Sequence, residues 1–135
     1  MTDIEPGTLL ANPARAGTRF VAARDRAAMV EAAPTLDFQV VAVDLASATG
    51  KRALIDAIAA ALEFPSPFGH NWAALADSLG DLSWLPAPGY MLLLDHTQVL
   101  REAAPDDFDT LLGILEDATR AHGSTVTPLW TLLPQ

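Results

Sequence analysis

Short continuous apolar runs alternate along the chain with segments in which apolar residues have helical spacing. The run "FQVVAVDL" (38–45) is almost uninterrupted and rich in valine, and "GYMLLLDH" (89–96) is a second run of this kind. Runs of this length predict strands that are covered on both faces, as in parallel sheets. "TVTPLWTLL" (125–133) predicts a last strand, and Pro128 inside it favours an edge strand or a bulge.

Three helices are predicted between these strands. "KRALIDAIAAALEF" follows the first strand and carries a buried stripe of Leu54, Ile58, Ala61 and Leu62. Asn71 has the side chain of a good cap for a second helix. Pro105 is suited to the first position of a third helix and Gly123 to its end. The apolar face of that third helix consists of Phe108, Leu111, Leu112 and Leu115.

In front of these elements, residues 18–23 predict a short strand and residues 24–33 a helix that Pro34 ends. The remaining order, β-α-α-β-α-β, predicts an α/β fold with a small three-stranded parallel sheet flanked by helices. The N-terminal strand and helix are an optional addition to it. We therefore divide the chain into an N-terminal extension, 1–37, and a main domain, 38–135.

Composition limits the classes of function. The 135 residues fit one domain, there is no cysteine, and no apolar run is long enough to serve as a secretory signal or a membrane span, so a cytoplasmic protein is expected. The net charge is −9, and residues 53–119 hold eleven acids against one base, Arg101. Such a field repels nucleic acid and attracts a basic protein. The alternative interpretation is an acidic surface that only keeps the protein soluble.

The sequence lacks the common catalytic signatures. There is no glycine-rich phosphate loop, no G-x-S-x-G and no HExxH. The histidines, His70, His96 and His122, have no spacing that suggests a metal site, and Asp95 and His96 point to opposite faces of a strand. We expect no catalytic residues, no metal and no cofactor, and an enzyme that uses His70 or His96 is the least favoured interpretation.

The stretch "FPSPFGHNWAALADSL" (64–79) holds more chemistry than a helix start needs. With a rotation of about 100° per residue, the helix after Asn71 has a core face and an opposite, outward ridge. The core face consists of Trp72, Leu75, Ala76 and Leu79, and the ridge of Ala73, Asp77 and Asp81. Asp77 and Asp81 form a like-charge pair that mildly destabilises a helix. On the third helix, Asp117 points away from the core. Two solvated helix faces are the alternative explanation for these acids.

This stretch resembles the motif of the barstar family, which reads approximately as an aromatic residue, G-x-N-x-D-A-L, and an acid two residues further on. The matching positions here are Phe68, Gly69, Asn71, Ala74, Leu75 and Asp77. The order of elements over residues 38–133 agrees as well.

The resemblance implies a small parallel sheet flanked by helices and a protein that inhibits a basic ribonuclease or nuclease toxin domain. It implies that Asp77 occupies a substrate phosphate position in the nuclease and that Asp117 contacts the same partner. The partner-binding surface expected from the resemblance and the neighbouring residues comprises Phe68, Gly69, His70, Asn71, Trp72, Ala73, Asp77, Asp81 and Asp117. Oligomeric state stays open.

The chain departs from the family motif at three positions. Ala73 stands where the motif helix has its first acid, Pro67 where an aromatic precedes Phe68, and Ala76 where the family has an interface tryptophan. Ala73, Pro67 and the N-terminal extension keep a second hypothesis open, in which the fold serves as a regulatory or assembly module that binds a protein other than a nuclease.

Overall fold

The computed structural model describes residues 17–65, 69–123 and 127–134, which form nine principal elements and two short 3-10 helices, Ala23–Asp25 and Ala33–Leu36. The nine elements are β1 (Thr18–Val21), α1 (Arg26–Ala32), β2 (Gln39–Asp44), α2 (Lys51–Ala61), α3 (Trp72–Asp81), β3 (Tyr90–Asp95), α4 (Gln98–Ala103), α5 (Pro105–Gly123) and β4 (Leu129–Pro134).

The four strands form one parallel sheet in the order β1-β4-β3-β2. The α/β class and the parallel sheet are thus confirmed, and the optional N-terminal strand and helix are both present, as β1 and α1. Because β1 pairs with β4, with Thr18 opposite Thr131, the residues before position 38 extend the same sheet.

The last strand is central, and the prediction of an edge strand or a bulge for it was wrong. β4 lies between β1 and β3, and Pro128 precedes the strand, where its carbonyl accepts a hydrogen bond of 2.9 Å from the Tyr90 amide. A proline there removes no donor from the ladder because the ladder begins at Leu129. Residues 125 and 126 of that prediction lie outside the described residues.

β2, the first predicted strand of the main domain, lies in contrast at an edge of the sheet. One face of β2 is covered, because Val43 is buried and Val41 packs against one cluster of the core. On the other face Val40 packs against the second cluster but Ala42 is exposed, so the expected cover of both faces is only partial. Its outer backbone edge has no neighbouring strand in the described part of the chain, and Gln39 and Asp44 are exposed. The valine-rich run therefore indicates a strand but neither its position at the edge of the sheet nor the partial exposure of its second face.

The larger part of the core lies on one face of the sheet, beneath α2, α3 and α5. Leu54, Ile58, Leu75 and Leu79 are fully buried there. Burial of one such side chain contributes about 1.5–3 kcal/mol to folding, so the two leucines of α3 fix which side of that helix faces outward. Ala61 of the predicted α2 stripe is only half-buried.

The opposite face of the sheet is covered by α1 and the 3-10 helix after it. Met29 of α1 packs there with Trp130 and Met91 of the central strands. Gly89, which leads into β3, permits the approach of Phe38, because a Cβ at position 89 would lie 2.4 Å from the phenyl ring.

Sequence patterns identified the start of α5 but missed α4. Pro105 is the first residue of α5 and Gly123 its last, as predicted. α4 has six residues, which is too short for a helical period to be recognised.

Within the described ranges, every helix is too short or too polar to cross a membrane.

Candidate protein-binding surface

Asn71 shapes the turn that leads into α3 with both atoms of its side-chain amide. Its Oδ1 accepts a hydrogen bond of 2.8 Å from the Ala74 amide, which confirms the predicted helix cap, and its Nδ2 donates to the Gly69 carbonyl at 3.1 Å. A Cβ at position 69 would lie 3.0 Å from Asn71 Nδ2 and 3.4 Å from the Ala74 Cβ. A side chain at position 69 would crowd the amide of Asn71 that shapes the turn, so glycine is favoured at this position.

His70 connects the turn to the preceding helix, α2, through a side-chain contact. Its Nδ1 lies 2.7 Å from Asp56 Oδ1 on α2, and its backbone adopts the left-handed conformation with φ 48°. Asp56 also accepts from Arg52 Nε at 3.0 Å. The hydrogen bond from His70, and then that from Arg52, lowers the pKa of the Asp56 carboxyl below its ordinary value. No local sequence pattern indicates this pairing, because fourteen positions separate the two residues.

The chain between α2 and the turn is anchored by aromatic residues. The Phe64 and Trp84 rings meet edge to face with centroids 5.5 Å apart, and Trp84 Nε1 donates to the Leu62 carbonyl at 3.0 Å. Phe68, a predicted binding residue, lies outside the described residues, as does Pro67.

Trp72 begins α3 and belongs to both the core and the surface. It packs against the buried cluster beneath α3 but is only half-buried, and Lys51 Nζ lies 5.7 Å from the centroid of its ring. The predicted core face is correct for Leu75 and Leu79, which are fully buried, whereas Ala76 is half-buried.

The outward ridge of α3 is exposed as predicted, at Ala73, Asp77 and Asp81. Asp81 accepts a hydrogen bond of 3.1 Å from Ser83 Oγ. Asp77 has no hydrogen bond or ion pair with any residue that the structure describes, so its carboxylate is available to an incoming cation.

Asp117 is exposed on α5, which packs beside α3. His122 Nε2 lies 2.8 Å from the Leu79 carbonyl, and a Cβ at Gly80 would lie 4.0 Å from the Ala121 Cβ. Asp77 precedes Leu79 by two residues and Asp117 precedes His122 by five, so the two acids lie on helices that are in direct contact. Asp117 pairs with Arg120 on its own helix. Because both side chains are exposed, that ion pair is weak, and a cation of a partner can replace Arg120 beside Asp117.

The three histidines have separate structural roles. His70 pairs with Asp56, His96 with Asp44 at 2.9 Å, and His122 with a backbone carbonyl. Across residues 17–65, 69–123 and 127–134, no three metal-ligating side chains come together.

Comparison with protein families relates this chain to a known family. The model of the family described as "Barstar (barnase inhibitor)" matches residues 38–134, which is most of the chain. The chain belongs to the barstar family.

Membership of the barstar family agrees with the resemblance seen in the motif and with the α/β fold. The match begins just before β2, so β1 and α1 precede the part that the family model covers. The description of the family is that of a ribonuclease inhibitor, not of an enzyme. No curated protein matches the chain.

Proposed function

We propose that this protein is a cytoplasmic inhibitor or immunity protein that binds a basic ribonuclease, or a nuclease toxin domain, and blocks its active site. One observation supports the proposal above the rest. Asp77 is exposed and unpaired within the described structure, on the helix that carries the motif of the barstar family. In the proposed complex its carboxylate takes the place of an RNA phosphate and accepts charge-assisted hydrogen bonds from the cations of the nuclease.

The turn before α3 supports this role because it is already in place in the free protein. Asn71 caps the helix, Gly69 admits the cap, and the His70–Asp56 contact joins the turn to α2. A surface that is ordered before binding loses little conformational entropy in the complex. The proposed binding surface therefore comprises this turn, with Phe68 and Trp72, and the acids of α3 and α5, including Asp81 and Asp117.

The charge of the chain supports association with a basic partner. Asp77, Asp81 and Asp117 belong to the segment 53–119, which has eleven acids and one base. Opposite charge on a nuclease would raise the association rate, and this effect weakens with salt.

The experiment is a direct inhibition assay. Barnase and other basic ribonucleases, including any nuclease encoded beside this protein, are assayed against RNA with increasing amounts of the inhibitor. The proposal predicts stoichiometric loss of activity for at least one enzyme, with an association rate that falls steeply between low and physiological salt. Full activity of every nuclease at a large excess of the protein contradicts it.

A second candidate function is supported by Ala73. This exposed position carries a methyl group where the family motif has an acid, so one charge that a nuclease would meet is missing. In the alternative, the fold is a regulatory or assembly module for another protein. Recovery of a non-nuclease partner whose binding is lost on substitution of Asp77, together with a negative inhibition assay, favours that function.

A further inference from the structure

A cavity of about 920 Å³ opens at the carboxyl end of the sheet, and Gly69, His70 and Asn71 of the turn before α3 are not among the residues that line it. Its wall includes Asp95 and Pro134, the last residues of β3 and β4, and Thr97 in the connection after β3. Open α/β sheets bind ligands outside the carboxyl ends of their strands.

Of the two carboxylates on the wall of this cavity, Asp95 is paired with a cation and Glu102 is not. Both oxygens of Asp95 accept hydrogen bonds from Arg26, from Nε at 2.8 Å and from a terminal nitrogen at 2.7 Å. Glu102 Oε1 accepts from Gln98 Nε2 at 3.4 Å. The Arg26–Asp95 ion pair cancels one negative charge of the wall, and the remaining charge of Glu102 is matched in number by that of Arg101.

Arg101 contributes a cation without a carboxylate partner. It is the one base between residues 53 and 119, and its guanidinium lies 5.6 Å from the Phe20 ring and 5.5 Å from the Phe108 ring. Within the described residues, no carboxylate forms an ion pair with it. The two rings hold the side chain by cation–π contact and leave its donors available, and a guanidinium presents two parallel donors that fit a carboxylate or phosphate.

Thr97 is the candidate for a second donor. The residue lines the cavity and is 4% exposed, and although it precedes α4 directly, its side chain makes no capping hydrogen bond to that helix. A hydroxyl can donate to an anionic oxygen. We propose that this cavity binds a small molecule through a carboxylate or phosphate group, with Arg101 as the cation and the Thr97 hydroxyl as a further donor.

The test is a titration of the full, ¹⁵N-labelled protein with inorganic phosphate and, separately, with acetate, at constant ionic strength adjusted with sodium chloride. Amide signals of residues 97–102 and the Arg101 side-chain Nε–H signal are followed. The proposal predicts saturable shifts centred on these signals. Arg101→Gln weakens binding at least tenfold, and Arg101→Lys, which keeps the charge but not the two parallel donors, weakens it less.

Arg120→Gln is the matched control, because it removes the same charge from an exposed helical position near the end of α5. It should change the titration midpoint less than twofold. Saturation by phosphate alone identifies a phosphoryl ligand, and saturation by both anions identifies an oxyanion of either kind.

The site is refuted if neither anion saturates, if the largest shifts of the wild-type protein lie outside residues 97–102 and Arg101, or if Arg101→Gln and Arg120→Gln bind alike. The location of the wild-type shifts decides the question even where a variant alters the fold. Since no nuclease takes part, the outcome is independent of the inhibition assay.

Discussion

His122 Nε2 on α5 donates a hydrogen bond of 2.8 Å to the backbone carbonyl of Leu79 on α3. A carbonyl oxygen can only accept, so Nε2 carries the proton. The carbonyl lies in the last turn of α3, where no amide of the helix is available to it. This contact joins the two helices that carry Asp77 and Asp117, and it does so from a buried position.

We expect His122→Asn to lower the free energy of unfolding by about 1–3 kcal/mol, because asparagine cannot reach the carbonyl and leaves it unsatisfied. Urea denaturation measures the change. His96→Asn is the control, since His96 is exposed and asparagine tolerates its left-handed backbone, φ 60°. It should change stability by less than about 0.5 kcal/mol. Equal effects of the two substitutions would show that the helices are not joined in this way.

Asn71→Ala should lower the free energy of unfolding by about 1 kcal/mol through loss of the cap. The amide of Ala74 should then exchange with solvent faster than in the parent protein, because its acceptor is gone. Asn71→Asp keeps an acceptor and should retain most of the stability, although it loses the donor to Gly69. If alanine and aspartate have the same effect, the side chain does not act as a cap.

Asn71 and His122 show which contacts could and could not be predicted from the sequence. Asn71 acts on an amide three residues away, so the motif alone indicated its role. The contacts His122–Leu79 and His70–Asp56 join residues that are 43 and 14 positions apart, and no local pattern encodes them.

The fold shows the same division between local and long-range information. Buried runs and helical spacing indicated the strands and the three longer helices of the main domain. The central place of β4 depends on its pairing with β1, a segment more than a hundred residues away. The sequence near Pro128 contains no information on this pairing, and the proline alone indicates an edge strand. The cavity at the carboxyl end of the sheet likewise combines Arg26 and Arg101, which the sequence does not connect.

The Asp56 carboxyl should titrate below its ordinary value of 3.8 in the folded protein. Because its pKa is lowered on folding, the stabilisation is complete above about pH 4 and is lost as the pH falls through the folded pKa. An NMR titration of the carboxyl carbon measures the midpoint. In His70→Ala the midpoint should rise, since the largest cause of the shift is removed. An unchanged midpoint would mean that His70 does not contact Asp56 when the protein is in solution.

The central claim, that Asp77 takes the place of a substrate phosphate, is tested most directly by the dissociation constant of the complex with a nuclease that the protein inhibits. We predict that Asp77→Ala weakens binding at least thirtyfold, about 2 kcal/mol or more, as expected for a residue at the centre of an interface. Asp106→Ala, which removes an exposed acid at the other end of α5, should change it less than threefold. A change of less than threefold for Asp77→Ala, below about 1 kcal/mol, would contradict the claim.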